Sequence, residues 1–235
     1  MIEIGGKPML WHIMKIYQSH GFNEFIVCLG YKGYLIKEYF ANYFLHNADV
    51  TFDLAKNSME VHKATAESMK VTLVDTGVDT LTAGRLQRIK PYLDGEDEFM
   101  LTYGDGVSDI DLHELLDFHR TNGKIATMTV IQPAGKFGVV QTGNKDAVSG
   151  FIEKPSNGGA WINGGFFVLN REVFRHLEGD MDQIMWEQAP LQQLTEHGEL
   201  MAFKHHGFWK CMDTLRDKVE LEAMWNDQPR WKQWD

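Results

Sequence analysis

Residues 99–106 read Phe99-Met100-Leu101-Thr102-Tyr103-Gly104-Asp105-Gly106. The run up to Tyr103 is too apolar for a surface loop and too short for a helix, so it reads as a buried strand. That places Asp105 at a strand's carboxyl end, the edge on which open α/β sheets carry their ligands. Gly104 and Gly106 leave space beside the carboxylate and permit unusual backbone angles. An aspartate there suits a hard cation such as Mg²⁺. The same residues also describe a solvated aspartate in a glycine-flanked turn.

Working outward, the pattern alternates. Pro8 opens a helical spacing through Leu10, Trp11, Ile13, Met14 and Tyr17, stopped by His20-Gly21. A strand over 25–29, a helix over 34–44, strands over 50–54 and 71–74, and a helix over 83–89 precede the opening stretch. A helix over 111–120 and a strand over 126–131 follow it. Near residue 132 the texture changes to short strands, over 137–140, 147–153 and 161–169, separated by Gly, Asn, Lys and Pro. Helices over 171–177 and 187–197, a strand over 200–204 and a helix over 214–225 close the chain. The alternation predicts an α/β protein. With no repeat or long linker, residues 1–235 read as a single domain, with residues 133–213 its substrate-side part.

The bulk properties narrow the function. Of 235 residues, 43% are hydrophobic, ample for a core, and no run reaches the roughly 18 apolar residues of a membrane span. No basic-then-apolar leader opens the chain, so cytoplasmic residence is expected. A net charge of −10 argues against a DNA or RNA footprint, which needs concentrated positive charge. It leaves room for a nucleotide, whose site needs only a few cations, amide donors and a metal. Cys28 and Cys211 are isolated, which disfavours a disulfide or a cysteine metal site. Trp225, Trp231 and Trp234 crowd the tail, which must pack on its own domain or on another subunit.

Other strand ends carry candidates. Asp213, before a helix and beside Thr214, reads as a second carboxylate ligand or as a helix-cap aspartate. Lys154 ends a strand and is held extended by Pro155; it suits a phosphate, and Glu153 suits sugar hydroxyls, though a charged strand end is the plainer reading. Asn163-Gly164-Gly165 interrupts an apolar strand and reads as a bulge or as a close approach to a ligand. Thr76-Gly77 is another strand-end turn, and the Gly84-Arg85 helix start nearby could frame a base; Arg85 equally suits a helix surface. No His-Glu-x-x-His, Gly-x-Ser-x-Gly, Walker A or dinucleotide glycine motif is present. Gly5-Gly6-Lys7-Pro8 lacks the spacing of a phosphate loop and reads as a turn before the helix.

Together these segments resemble the sugar-1-phosphate nucleotidylyltransferases through nearly the whole chain. The resemblance rests on Tyr103-Gly104-Asp105-Gly106, Glu153-Lys154-Pro155, Ile162-Asn163-Gly164-Gly165-Phe166-Phe167 and Gly30-Tyr31-Lys32-Gly33. Asp75-Thr76-Gly77 and Met212-Asp213-Thr214 look like the cytidylyl branch. The resemblance implies a Rossmann-like fold with a central mixed, mostly parallel sheet, flanking helices and a smaller substrate-side β region. It implies that CTP and α-D-glucose 1-phosphate give CDP-glucose and pyrophosphate, for nucleotide-sugar and O-antigen synthesis. Asp105 and Asp213 would hold Mg²⁺ and, with Lys154 on the sugar phosphate, form the catalytic set. Glu153 and Asn163 would face glucose, Thr76 and Gly77 the cytosine; Gly104, Gly165 and Thr214 would approach substrate. A homo-oligomer is implied, and 133–213 becomes the sugar-phosphate-binding part.

The chain departs from the family at its start. Members begin with an apolar strand, Gly-Gly-x-Gly-Thr-Arg-Leu and Lys-Pro-Lys-Pro, all of which would precede Met1; Lys7 belongs to a later segment. The expectation is a chain N-terminally incomplete relative to the family. The alternatives are a noncatalytic sugar-phosphate-binding or regulatory subunit, and a uridylyl or thymidylyl transferase of the same fold.

Overall fold

The computed structural model describes residues 1–64, 67–133, 139–142, 148–152 and 160–234. In chain order the elements are β1 (Glu3–Ile4), β2 (Lys7–Pro8), α1 (Met9–Ser19), β3 (Glu24–Leu29), α2 (Gly33–Ala41), α3 (Tyr43–His46), β4 (Ala48–Asp53), β5 (Ser58–Ala64), β6 (Lys70–Asp75), α4 (Thr82–Arg88), β7 (Glu98–Thr102), β8 (Gly106–Ser108), α5 (Leu112–Asn122), β9 (Ala126–Ile131), β10 (Val139–Thr142), β11 (Val148–Ile152), β12 (Ile162–Asn170), α6 (Ala189–Glu196), β13 (Leu200–His205), β14 (Trp209–Cys211) and α7 (Leu215–Asn226). Two compact units share them. One comprises Met1–Ile2, Gly21–Gly95 and Phe174–Gln193; the other comprises Glu3–His20, Glu96–Val173 and Leu194–Asp235.

In the first unit, β3 and β6 pair in parallel, Glu24 opposite Lys70 through Leu29 opposite Asp75. Both strands therefore end at the same edge, where Gly30 and Thr76 begin the next turns. The β4–β5 hairpin stands as a separate antiparallel pair. The expected 34–44 helix is two helices, α2 and α3, parted at Asn42. The Asn42 side-chain amide donates to Glu38 O at 2.9 Å, closing α2 with a local bond that competes with helix continuation.

In the second unit, four strands form one sheet in the order β13-β9-β12-β7. β13 runs parallel to β9, and β12 runs antiparallel to both β9 and β7. The sheet is thus mixed, and β12 qualifies the expectation of a mostly parallel one. Phe166, Phe167, Val168 and Leu169 of β12 are essentially inaccessible to water. Removing such side chains from water contributes about 1.5–3 kcal/mol for each large apolar group. Helix α5 is bounded as its sequence dictates. Asp111 accepts from His113 N and Glu114 N, and Gly123, at φ 61°, ends it with its N–H on His119 O.

The turn before α1 is Gly5-Gly6, at φ 58° and 72°. Two successive positive φ values match the tight turn that suits a two-strand hairpin, here β1 with β2. The tail answers the question of where its tryptophans pack. Trp225, Trp231 and Trp234 surround His12 of α1, with ring centroids 4.7, 6.0 and 6.5 Å away. His12 Nε2 lies 2.8 Å from Ile4 O, and the Trp231 indole N–H donates to His12 Nδ1 at 3.4 Å. Both carboxylate oxygens of Glu222 in α7 accept from Gly5 N. Among the described residues no helix is long and apolar enough to cross a membrane.

Candidate active site

The second unit builds the acidic pair. After β7 the chain turns through Tyr103-Gly104-Asp105 into β8, which pairs antiparallel with β14: Gly106 opposite Cys211, Val107 opposite Lys210, Ser108 opposite Trp209. One step beyond Gly106, Met212 N donates to Asp105 O at 2.9 Å. Asp105 and Asp213 therefore leave the same end of one short ladder. Burial, and then the charge of Asp213, hold the Asp105 carboxyl above the ordinary carboxylate range. The Cys211 thiol donates to Asp213 Oδ2 at 3.1 Å. A side chain added at Gly104 would meet nothing within 4 Å, so the space in front of it is open.

Next to the pair, Asn163 is committed within its own loop. Its amide donates to Tyr103 OH at 3.0 Å, and its carbonyl oxygen accepts from Gly165 N at 2.8 Å. Gly165 has φ 78°, and a Cβ there would come within 2.9 Å of the Tyr103 ring. This is the bulge expected from Asn163-Gly164-Gly165, and the β12–β9 register shifts across it. The Trp209 indole donates to Gly164 O at 2.7 Å, tying the bulge to β14. Thr214 caps α7 in a capping box: its Oγ1 accepts from Asp217 N, while Asp217 Oδ2 accepts from Thr214 N.

The first unit holds the other predicted turn. Thr76 is buried, and both its N–H and its Oγ1 donate to Leu29 O, at 2.9 and 2.8 Å. Its hydroxyl also accepts from Arg85 Nη1 at 2.7 Å, and its carbonyl accepts from Arg88 Nη1 at 2.7 Å. Arg88 is ion-paired to Asp182. Gly77 sits at φ 90°, where a Cβ would come within 2.7 Å of Thr80 Oγ1 and Arg88 Nη1. The Thr76 side chain thus faces inward, and the turn is held by two arginines of α4. Arg85 was equally readable as a surface residue; the signal that singles it out is the pair of parallel strand ends, Gly30 and Thr76, under the following helix. A Cβ at Gly30 would stand within 2.9 Å of the Arg85 guanidinium.

Glu153 and Lys154 lie outside the described residues. Among the described residues no group of three or more His, Cys, Asp and Glu side chains gathers as a metal cage. Two hard carboxylates beside open space, the titration of one raised by desolvation and then by the other's charge, nonetheless fit Mg²⁺. That ion keeps several waters and takes only one or two protein carboxylates beside substrate phosphates.

The nucleotidyl transferase family pattern matches residues 1–228. The glucose-1-phosphate cytidylyltransferase of Salmonella typhi is 55% identical over 238 residues, covering 100% of this chain and 91% of its own length. The probable glucose-1-phosphate cytidylyltransferase of Bacillus subtilis is 46% identical over 232 residues, covering 98% and 89%. Among solved structures, HddC from Yersinia pseudotuberculosis superposes with a TM-score of 0.68 at 18% identity, over 96% of this chain and 88% of that one. The last likeness shows the fold alone. A family match over nearly the whole chain, and a cytidylyltransferase sharing more than half its residues, agree with the strand-end aspartates: the chain belongs to the nucleotidyl transferase family, in its glucose-1-phosphate cytidylyltransferase group.

Proposed function

We propose that this enzyme joins CTP to α-D-glucose 1-phosphate, giving CDP-glucose and pyrophosphate. The observation that carries the reading is the 55% identity to the Salmonella typhi cytidylyltransferase across the whole chain. The acidic pair at the end of the β8–β14 ladder suits that chemistry.

In the reaction, an oxygen of the sugar phosphate forms a bond to the α-phosphorus of CTP, and the bond from that phosphorus to the bridging oxygen breaks, releasing pyrophosphate. The attacking oxygen is already ionised, so no strong base is needed; the protein must align reactants and offset charge. Asp105 and Asp213 are the residues that would hold Mg²⁺, which supplies charge neutralisation on the phosphates when bound. Lys154 is assigned to the phosphate of the sugar and Glu153 to its hydroxyls. Asn163 and Gly165 shape the glucose side through the loop they brace, and Gly104 leaves room for substrate. Thr76 and Gly77 serve the base through the turn they form, and Thr214 sets the start of α7 beside Asp213. Residues 133–213 are assigned to the sugar phosphate, and the protein to a cytoplasmic homo-oligomer.

The test is product analysis with each nucleoside triphosphate in turn, with glucose 1-phosphate and Mg²⁺. CDP-glucose formed from CTP, with little turnover of UTP or dTTP, is expected. Efficient use of UTP or dTTP without CTP turnover sinks the base assignment.

A further inference from the structure

At the far end of the β8–β14 ladder from Asp105 lies a second cluster, made of Ser108, Asp109, His205, Phe208 and Arg230. Asp109 Oδ1 accepts from Phe208 N at 2.6 Å and lies 3.0 Å from His205 Nε2. Ser108 Oγ donates to Phe208 O at 2.8 Å, and Asp109 N donates to the same carbonyl at 3.1 Å. Arg230 Nη2 donates to Asp109 Oδ2 at 3.4 Å while its guanidinium lies 5.3 Å from the centre of the Phe208 ring. A serine, a histidine and an aspartate in contact invite comparison with a nucleophilic triad. The geometry is different. Ser108 Oγ and Asp109 Oδ1 both lie against the same ring nitrogen, His205 Nε2, and the hydroxyl donates to a backbone carbonyl. A relay needs the nucleophilic hydroxyl and the orienting carboxylate on opposite nitrogens of the histidine.

What the cluster does is grip the backbone of one residue, Phe208. Both backbone polar groups of Phe208 are taken by Ser108 and Asp109, the last residue of β8 and the one after it. Phe208 immediately precedes β14. The grip therefore sets where β14 starts relative to β8. The ladder has only three residue pairs. A two-stranded ladder that short is marginal by itself, and a slip by one residue turns every side chain to the other face. Such a slip would also carry Asp213 along by about 3.3 Å. Mg²⁺ demands near-ideal octahedral geometry, so a pair of ligands displaced that far no longer serves one ion.

We propose that Asp109 is a positioning residue for the metal-binding pair: by fixing Phe208 it holds the β8–β14 register that brings Asp105 and Asp213 out side by side. The proposal rests on the reading of those two aspartates as metal ligands. Gly207 belongs to the same device, because a methyl group there would run into Asp109 Oδ1 and the His205 ring.

The experiment measures Mn²⁺ binding to the nucleotide-free protein by electron paramagnetic resonance, alongside the Mg²⁺ dependence of turnover and the KM for glucose 1-phosphate. Asp109→Ala is expected to weaken Mn²⁺ binding at least about 10-fold, the range found when groups supporting metal ligands are removed. The Mg²⁺ concentration for half-maximal turnover should rise with it, and the KM for glucose 1-phosphate should move far less. Asp109→Asn retains an oxygen acceptor for Phe208 N and should recover most of the affinity. Gly207→Ala, which displaces the carboxylate without removing it, should reproduce the loss, and it decides the matter if Asp109→Ala does not fold. Wild-type Mn²⁺ binding in Asp109→Ala or Gly207→Ala overturns the proposal. So does a loss in Asp109→Asn as large as in Asp109→Ala, or an equal loss of Mn²⁺ and glucose 1-phosphate binding. Asp105→Asn is the control: if it too binds Mn²⁺ as the wild type does, the metal reading itself fails and takes the proposal with it.

Discussion

Asp105 lies at the surface, but its carboxyl is partly shielded from water and faces a second negative charge. Both conditions destabilise its ionised form, which a bound cation would relieve. Replacing either carboxylate by its amide removes the repulsion and the ligand together. Asp105→Asn and Asp213→Asn should therefore lower turnover by at least about 100-fold while the thermal midpoint stays level or rises. Wild-type turnover in both variants would end the metal assignment. Cys28 gives a separate residue-scale test. Burial pushes its thiol up to about 11, against a smaller opposing effect of the Arg85 charge. Since the thiolate is the reactive form, iodoacetamide at pH 8 should label Cys28 far more slowly than a free cysteine, and denaturant should abolish the difference. Labelling at the free-thiol rate in the native protein would show that the site is open.

At the scale of elements, what was legible in the sequence tracks length and period. Strand β9 was readable to the residue, and α5 and α7 nearly so, because an apolar face and a capping residue mark them. Strand β8 was not, because Gly106-Val107-Ser108 is three residues long and reads as a turn; only its partner β14, more than 100 residues away, makes it a strand. That is why Asp105 and Asp213 were each legible as candidates while their common ladder was not. The β1–β2 hairpin and β5 escaped for similar reasons: two residues per strand in one, weak alternation in the other. Arg85 and Arg88 were legible only once β3 and β6 were known to end together. Two element-scale predictions follow from the caps and turns. Thr214→Ala breaks the capping box of α7 and should cost about 1 kcal/mol in denaturant unfolding; no change would mean that the α7 start is held by other contacts. Gly77→Ala places a side chain at φ 90° against Thr80 and Arg88, so it should cost more than about 1 kcal/mol. A neutral result would contradict the tight turn between β6 and α4.

At the scale of the molecule, stability should depend on pH through two buried histidines. Burial holds both His12 and His119 below the ordinary imidazole range. A lowered folded value means that the unfolded chain takes up protons first as pH falls. The stabilisation is fully present above the unfolded value, about 6.5, and is lost as pH drops from there toward the folded values. His12 adds a geometric reason: with Nε2–H donated to Ile4 O, its Nδ1 accepts from Trp231, and a proton on Nδ1 would oppose that indole. The thermal midpoint should fall between pH 7.5 and 5.5, with a shallower fall in His12→Asn and a remainder from His119. Identical slopes in the two proteins would remove His12 as a cause.

The bond between Gly5 and Glu222 joins residues 217 positions apart, and the His12–Trp231 contact joins residues 219 apart. On a ribosome, at about 5–20 residues per second, roughly 10–40 s separate the emergence of the two partners. Helix α1, with Ile13, Ile16 and Tyr17 all destined for burial, leaves the exit tunnel long before its tryptophan cover has been made. The second unit therefore closes only once α7 and the tail have emerged, and until then the nascent chain is either shielded by chaperones or exposed to aggregation.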